Sequence, residues 1–160
     1  MLGVFLAGLT KLGPDTIAFS NGRQFTAELK KEIAMKSIPM SGKEGDFVSV
    51  SIKDFQAVSV ILLVPAFESG YDQRDSFVAF GVLISQETNP TPYTSMLKTI
   101  ASVCSKYGCL DVPSLIELVP KLHKLPPNKI LEIKSGVEID VAIDTAPTSG
   151  DRLRDALKRL

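Results

Sequence analysis

Apolar and polar positions along this chain alternate in an order that predicts two strands, a helix, three strands and then two helices. The first two strand-like runs cover residues 2–9 and 16–20. The segment between them contains Gly13 and Pro14, residue types that favour a tight turn. The sequence therefore predicts an α+β domain that opens with a β-hairpin.

The first helix is predicted over residues 25–38. Phe25, Leu29 and Ile33 recur at helical spacing, and charged residues occupy most of the positions between them. Pro39 cannot continue a helix, so we expect the helix to end before it. The pattern is typical of a helix with one face on a core and the other in solvent.

Three further strands are predicted over residues 47–52, 55–64 and 76–84. The first alternates apolar residues with serines, which is typical of a half-exposed strand. The second ends in an unbroken apolar run at 60–64, and such a run is expected in an inner strand of a sheet. The third is apolar over most of its length and is predicted to be buried as well.

Two helices are predicted after the last strand. Thr91 and Pro92 have the residue types of an N-cap and a first helical position. The second of these helices starts after Asp111, and we expect Pro120 to kink or shorten it. These elements complete a first domain, which we assign to residues 1–125.

A C-terminal extension is predicted over residues 126–160. Alternating apolar residues predict a hairpin at 129–143, and small and turn-forming residues predict a linker at 144–150. Residues 151–160 place leucines at the spacing of a short amphipathic helix. A helix of that length is marginal by itself, so we expect the tail to dock on a surface or to fray.

Charge is balanced in this chain, with 18 Lys and Arg against 18 Asp and Glu. A balanced chain has no global field that would attract nucleic acid, so nucleic acid is not expected as a partner. Arg23, Lys30 and Lys36 are interleaved with acidic residues and are interpreted as a solvated helix face. No apolar run is long enough for a membrane helix, and we expect a cytoplasmic protein with at most peripheral membrane contact.

No cofactor, metal or catalytic residue is predicted from the sequence. It contains no glycine-rich phosphate-binding fingerprint and no nucleophile elbow. Its one histidine, His123, lies among charged residues at a predicted helix end. Cys104 and Cys109 are too few for a zinc site. We interpret them as ordinary thiols, with a disulfide between them as the alternative.

The polar loop over residues 67–77 offers an alternative functional site. It carries Tyr71 and Arg74 among three carboxylates, between two predicted buried strands. Polar loops on rigid scaffolds often carry binding residues, but pairing of Arg74 with a neighbouring carboxylate explains the composition as well. A small-ligand-binding or catalytic domain that uses this loop is the second function compatible with the sequence.

The predicted elements follow one another in an order that can be compared with known domains. The residues that support this order are 4–8, Gly13, Pro14, 17–19, 25–38, 60–67, Arg74 and 77–84. In this order the chain resembles the longin domain, and it is similar to small longin-like proteins of eukaryotes and archaea. The resemblance implies a five-stranded antiparallel sheet in the order β-β-α-β-β-β-α-α, with one helix on one face and two on the other. The extension at 126–160 departs from the minimal longin pattern.

The resemblance also implies a function, because longin domains are non-enzymatic platforms that dimerise and bind small GTPases or trafficking partners. We therefore expect an adaptor or regulator in intracellular trafficking or signalling. Its expected partner is a small GTPase or another longin- or roadblock-type chain, in a homo- or heterodimer. The candidate protein-binding residues lie on the first helix, the polar loop and the tail: Phe25, Leu29, Lys36, Tyr71, Arg74, Leu153, Leu157 and Leu160.

Overall fold

The computed structural model describes residues 1–65, 75–106 and 110–124. Within them the chain forms a five-stranded antiparallel sheet and three α-helices, so the predicted α+β class is confirmed. The elements in chain order are β1 (Gly3–Thr10), β2 (Gly13–Phe19), α1 (Ala27–Ser37), β3 (Phe47–Ile52), β4 (Phe55–Val64), β5 (Ser76–Ser85), α2 (Thr91–Lys106) and α3 (Val112–His123).

The strands lie in the order β2-β1-β5-β4-β3, and every neighbouring pair is antiparallel. The β1–β2 hairpin turns at Gly13, whose φ of +103° is a conformation that favours glycine. β4 pairs with a strand on each side, as its unbroken apolar run predicts. Among the five described strands, β2 and β3 are at the edges.

Each face of the sheet has its own hydrophobic core, because alternate residues of a strand point to opposite sides. On one face α1 buries Leu29, Ile33 and Ala34 against the strands. α2 and α3 cover the other face, where Met96 and Leu115 are fully buried. Complete burial of one such side chain stabilises the fold by about 1.5–3 kcal/mol. One helix therefore packs on one face and two on the other.

α1 begins two residues later than its apolar spacing predicts. Phe25 has an extended backbone, with φ −120° and ψ 139°, and follows a short 3₁₀ turn at Gly22–Gln24. The hydroxyl oxygen of Thr26 then accepts a hydrogen bond from the Leu29 N–H at 3.2 Å and caps the helix. Phe25 therefore lies just before α1, and its aromatic side chain packs on the hydrophobic core between α1 and the sheet, which we call the α1 core.

The start of α3 agrees with the sequence prediction, whereas the start of α2 and the end of α3 differ from it. Asp111 caps α3 by accepting from the Ser114 N–H at 2.9 Å. Pro120 does not end α3, which continues to His123. α2 begins at Thr91 itself, and the side-chain oxygen of Asn89 accepts the Thr91 N–H. None of the helices described here is long and apolar enough to cross a membrane.

Candidate interaction surfaces

The edge strand β3 has one face on which none of the three described helices mainly packs. Its side chains alternate: Val48, Val50 and Ile52 point towards α1, whereas Phe47, Ser49 and Ser51 are exposed on the opposite face. On that opposite face α2 packs mainly on β4, and α3 packs mainly on β1 and β2. β3 therefore extends beyond the helices that cover the rest of this face.

Among the described residues, the outer backbone groups of β3 have no pairing strand. At its start, the Gly45 N–H donates to the Ile61 carbonyl and the Ile61 N–H donates to the Asp46 carbonyl, at 2.8 and 2.9 Å. Because antiparallel pairing alternates, Val48 and Val50 then bond to β4, and the backbone groups of Ser49 point away from it. No described strand pairs with this outer side. Such an edge is a template for strand addition.

Several exposed apolar side chains occur at the end of the sheet where the β1–β2 hairpin turns and β5 begins. Eight large apolar side chains are exposed among the described residues, and five of them lie at this end. The β1–β2 hairpin, the α1–β3 connection and the starts of β3 and β5 meet here. By strand alternation Leu9 and Phe77 lie on the α1 face and Phe47 on the opposite face, so these side chains are spread over both faces of the sheet. We call this part of the sheet the apolar end; it comprises Leu9, Leu12, Met40, Phe47 and Phe77.

The outer face of α1 carries an ion pair rather than an open basic stripe. Lys36 Nζ lies 2.7 Å from Glu32 Oε1, one helical turn earlier, and both side chains reach solvent. The hydrogen bond from Lys36 lowers the pKa of Glu32 below its ordinary value. Leu29, by contrast, is only 6% exposed and belongs to the α1 core.

Phe25 belongs to a row of aromatic rings at the end of the sheet opposite the apolar end. The ring centroids of Phe5 and Phe19 are 6.2 Å apart, and those of Phe19 and Phe25 are 5.3 Å apart. Phe25 then meets Phe55 edge to face, at 5.8 Å and 87°. Rings in this geometry attract each other beyond their burial, so the row fixes the segment between β2 and α1 on the sheet.

Two adjoining cavities open beside this row. The first, of about 350 Å³, we call the aromatic cavity; its lining includes Met1, Leu2, Asn21, Gln24, Phe25, Phe55 and His123. The second, of about 480 Å³, we call the basic cavity; its lining includes Phe19, Asn21, Gly22, Arg23 and Lys30. Asn21 lines both, so the cavities meet at the 3₁₀ turn that links β2 to α1.

The basic cavity is positively charged. Neither Arg23 nor Lys30 has an ion-pair partner among the residues that the structure describes. The Lys30 ammonium lies over the turn, since a Cβ atom on Gly22 would be 3.1 Å from its Nζ. Arg23 is exposed and Lys30 half-buried. The charge pattern of the sequence predicts a solvated helix face for both residues, and the Asn21-Gly22 pair indicates a turn before the helix but not a site.

The remaining predicted site residues lie outside the described residues: Tyr71, Arg74, Leu153, Leu157 and Leu160. The same holds for Cys109 and for nearly all of the 67–77 loop, and the predicted hairpin, linker and tail helix at 129–143, 144–150 and 151–160 stay predictions.

Cys104 is buried. In the described ranges no three His, Cys, Asp or Glu side chains are grouped as metal ligands would be.

Comparison of the chain with protein-family models and with curated proteins found no match. The β3 edge, the apolar end and the two cavities are the features of the described residues that bear on function.

Proposed function

We propose that this protein is a non-catalytic interaction module of the longin type. It acts as a cytoplasmic adaptor or regulator in intracellular trafficking or signalling, and it binds a small GTPase or another longin- or roadblock-type chain. The observation that carries the proposal is the outer edge of β3, which pairs with no strand in the described part of the chain. An antiparallel five-stranded sheet with one helix on one face and two on the other is compatible with a longin-like domain.

The binding mode that we propose is addition of a partner strand to β3. The outward N–H and C=O groups of Phe47, Ser49 and Ser51 supply the main-chain hydrogen bonds. Side chains of the added strand then lie beside Phe47, which is 40% exposed and joins the edge to the apolar end. Main-chain pairing provides affinity in this mode, and the apolar contact provides selectivity among partners.

The substitution Ser49→Pro tests strand addition at β3. The Ser49 N–H points away from β4, so Ser49→Pro removes a donor from the outer edge and leaves the ladder between β3 and β4 in place. Ser49→Ala is the matched control, because it removes only the hydroxyl that accepts from Gln56 Nε2 at 2.9 Å. Binding is measured by sedimentation for self-association and by titration with small GTPases in their GDP- and GTP-bound states.

We expect the unaltered chain to self-associate or to bind a GTPase in one nucleotide state. Ser49→Pro should weaken that association at least about tenfold, a loss of about 1.4 kcal/mol, and Ser49→Ala should not. The folded state of each variant is checked by its melting temperature. The proposal is wrong if the unaltered chain does neither, or if the folded proline variant associates as well as the alanine variant.

A further inference from the structure

We propose that the aromatic and basic cavities together form a second binding site, for an acidic peptide segment of a partner protein. One aromatic or long aliphatic side chain of the peptide enters the aromatic cavity, and neighbouring carboxylates lie beside Arg23 and Lys30. This inference goes beyond the proposed function and does not depend on it. The site is at the Phe55 end of β4, whereas the apolar end lies where Phe47 pairs with Val60.

The aromatic cavity is a depression open to solvent, with room for at least one large side chain. Its volume of about 350 Å³ is at the lower end of the range of about 300–1,000 Å³ that small-molecule pockets occupy. Phe25 and Phe55 present a ring face and a ring edge to each other at 87°, so an inserted ring can pack against either in a favourable geometry. Leu2, 38% exposed, adds apolar surface to the lining.

The polar groups at the junction of the cavities suit a peptide backbone. Asn21 Nδ2 donates to Gln24 Oε1 at 2.8 Å, and both side chains are exposed. This bond leaves the Asn21 Oδ1 oxygen as an acceptor and the Gln24 Nε2 group as a donor. One acceptor and one donor can pair with the N–H and C=O groups of a peptide backbone, whereas a simple phosphate presents no carbonyl group.

The charge of the basic cavity selects an acidic partner. Arg23 and Lys30 have no carboxylate partner among the described residues, and the Lys30 ammonium is positioned over Gly22. The one acidic residue between them along the chain, Glu28, is two positions from Lys30 on α1 and so points to another side of the helix. Hydrogen bonds between cations and carboxylates are about twice as strong as neutral ones.

The first step of the test is a selection of phage-displayed random peptides on the full chain. We expect the recovered peptides to combine a Phe, Tyr, Trp, Leu or Met with Asp or Glu close by. The strongest recovered peptide is then labelled and titrated by fluorescence anisotropy. Because the carboxylate contacts are solvent-exposed, raising the salt concentration from about 0.05 to 0.5 M should weaken binding.

The second step uses variants with matched controls. Arg23→Glu combined with Lys30→Glu should weaken binding of the labelled peptide at least about tenfold. Lys43→Glu combined with Lys98→Glu changes the net charge equally at exposed positions outside the cavities and should change binding less than about twofold.

A second pair of variants tests the aromatic cavity without disturbing buried rings. Leu2→Glu should also weaken the peptide at least about tenfold. Its control is Ile116→Glu on α3, where the replaced side chain has a similar exposure of 40% but lines neither cavity.

The proposal is wrong if the selection recovers no acidic peptides, or if the control variants weaken the peptide as much as the cavity variants. It is also wrong if dodecyl phosphate binds at these residues and no recovered peptide competes with it, because the occupant is then an anionic amphiphile. Ser49→Pro should leave peptide binding unchanged, so failure of this site and failure of strand addition at β3 are distinguishable.

Discussion

Gly81 of β5 lies directly opposite Ser59 of β4, and a Cβ atom on Gly81 would be only 2.7 Å from the Cβ of Ser59. The same atom would be 2.5 Å from the backbone oxygen of Val58 and 2.7 Å from Cζ of Phe5. All three distances are shorter than atoms tolerate without movement. The centre of the sheet, on the face that α1 covers, therefore has no room for a side chain at this position.

Gly81→Ala should destabilise the fold by about 2–3 kcal/mol, because the added methyl group meets backbone that cannot rotate away. Urea unfolding followed by circular dichroism measures the difference. Gly22→Ala is the control: its added atom meets the flexible end of Lys30 at 3.1 Å, and we expect a change below about 1 kcal/mol. Equal losses in the two variants would contradict the packing described here.

Two buried serines provide a second comparison. Ser59 Oγ is buried and has no hydrogen-bond partner among the described residues, so Ser59→Ala should be neutral or stabilising by up to about 1 kcal/mol. Ser20 Oγ instead accepts the Val4 N–H at 2.7 Å, and Ser20→Ala should cost about 1–2 kcal/mol. Unfolding free energies of both variants check the prediction. A loss at Ser59 as large as that at Ser20 would show that its hydroxyl has a partner.

Pro120 gives a third prediction, since it lies inside α3 and has no N–H to bond the carbonyl of Ile116 four residues earlier. Its side chain is exposed, and Pro120→Ala restores the missing helical hydrogen bond. Alanine also makes the unfolded chain more flexible, which offsets part of this gain. The variant should therefore stabilise the fold by about 1–2 kcal/mol. Pro113, in the first turn of α3, is the control, because no helical bond is missing there and its replacement should bring no gain. A gain at both positions would indicate another cause.

The sequence predicts those elements best whose pattern is local. β3 and β4 have the predicted bounds, because apolar alternation and the Lys53-Asp54 turn both occur within a few residues of the strands. The apolar spacing predicts Phe25 to lie in α1, because a residue just before a helix can keep the same spacing as the first helical turn. Thr26 is the sequence signal that distinguishes a helix including Phe25 from one that starts after Thr26, because its hydroxyl caps the helix.

The two cavities could not be predicted in this way. The aromatic cavity joins Leu2, Phe25, Phe55 and His123, which are far apart in the sequence and meet only when the sheet has formed. No periodic pattern relates such positions to one another. The left-handed backbone of Asn21, with φ 61°, places the 3₁₀ turn between the cavities, and an Asn-Gly pair indicates a turn but not what the turn encloses.

Lys36 and Glu32 give the last prediction, which concerns protonation. Because the hydrogen bond from Lys36 lowers the pKa of Glu32, Lys36→Met should raise that pKa towards its ordinary value, as measured by NMR titration of the Glu32 side chain. A lowered folded-state pKa means that the pair adds stability above the unfolded-state pKa and loses it as the pH falls through the folded value. The pair is exposed, so the melting temperature should hardly change. Lys31→Met, which removes a neighbouring charge but not the bond, should leave the Glu32 pKa nearly unaltered. Lys36 is also a candidate protein-binding residue. If it leaves Glu32 to bind a partner, the Glu32 pKa should rise when the partner is added to the unaltered chain, and an unchanged titration would exclude Lys36 from that contact.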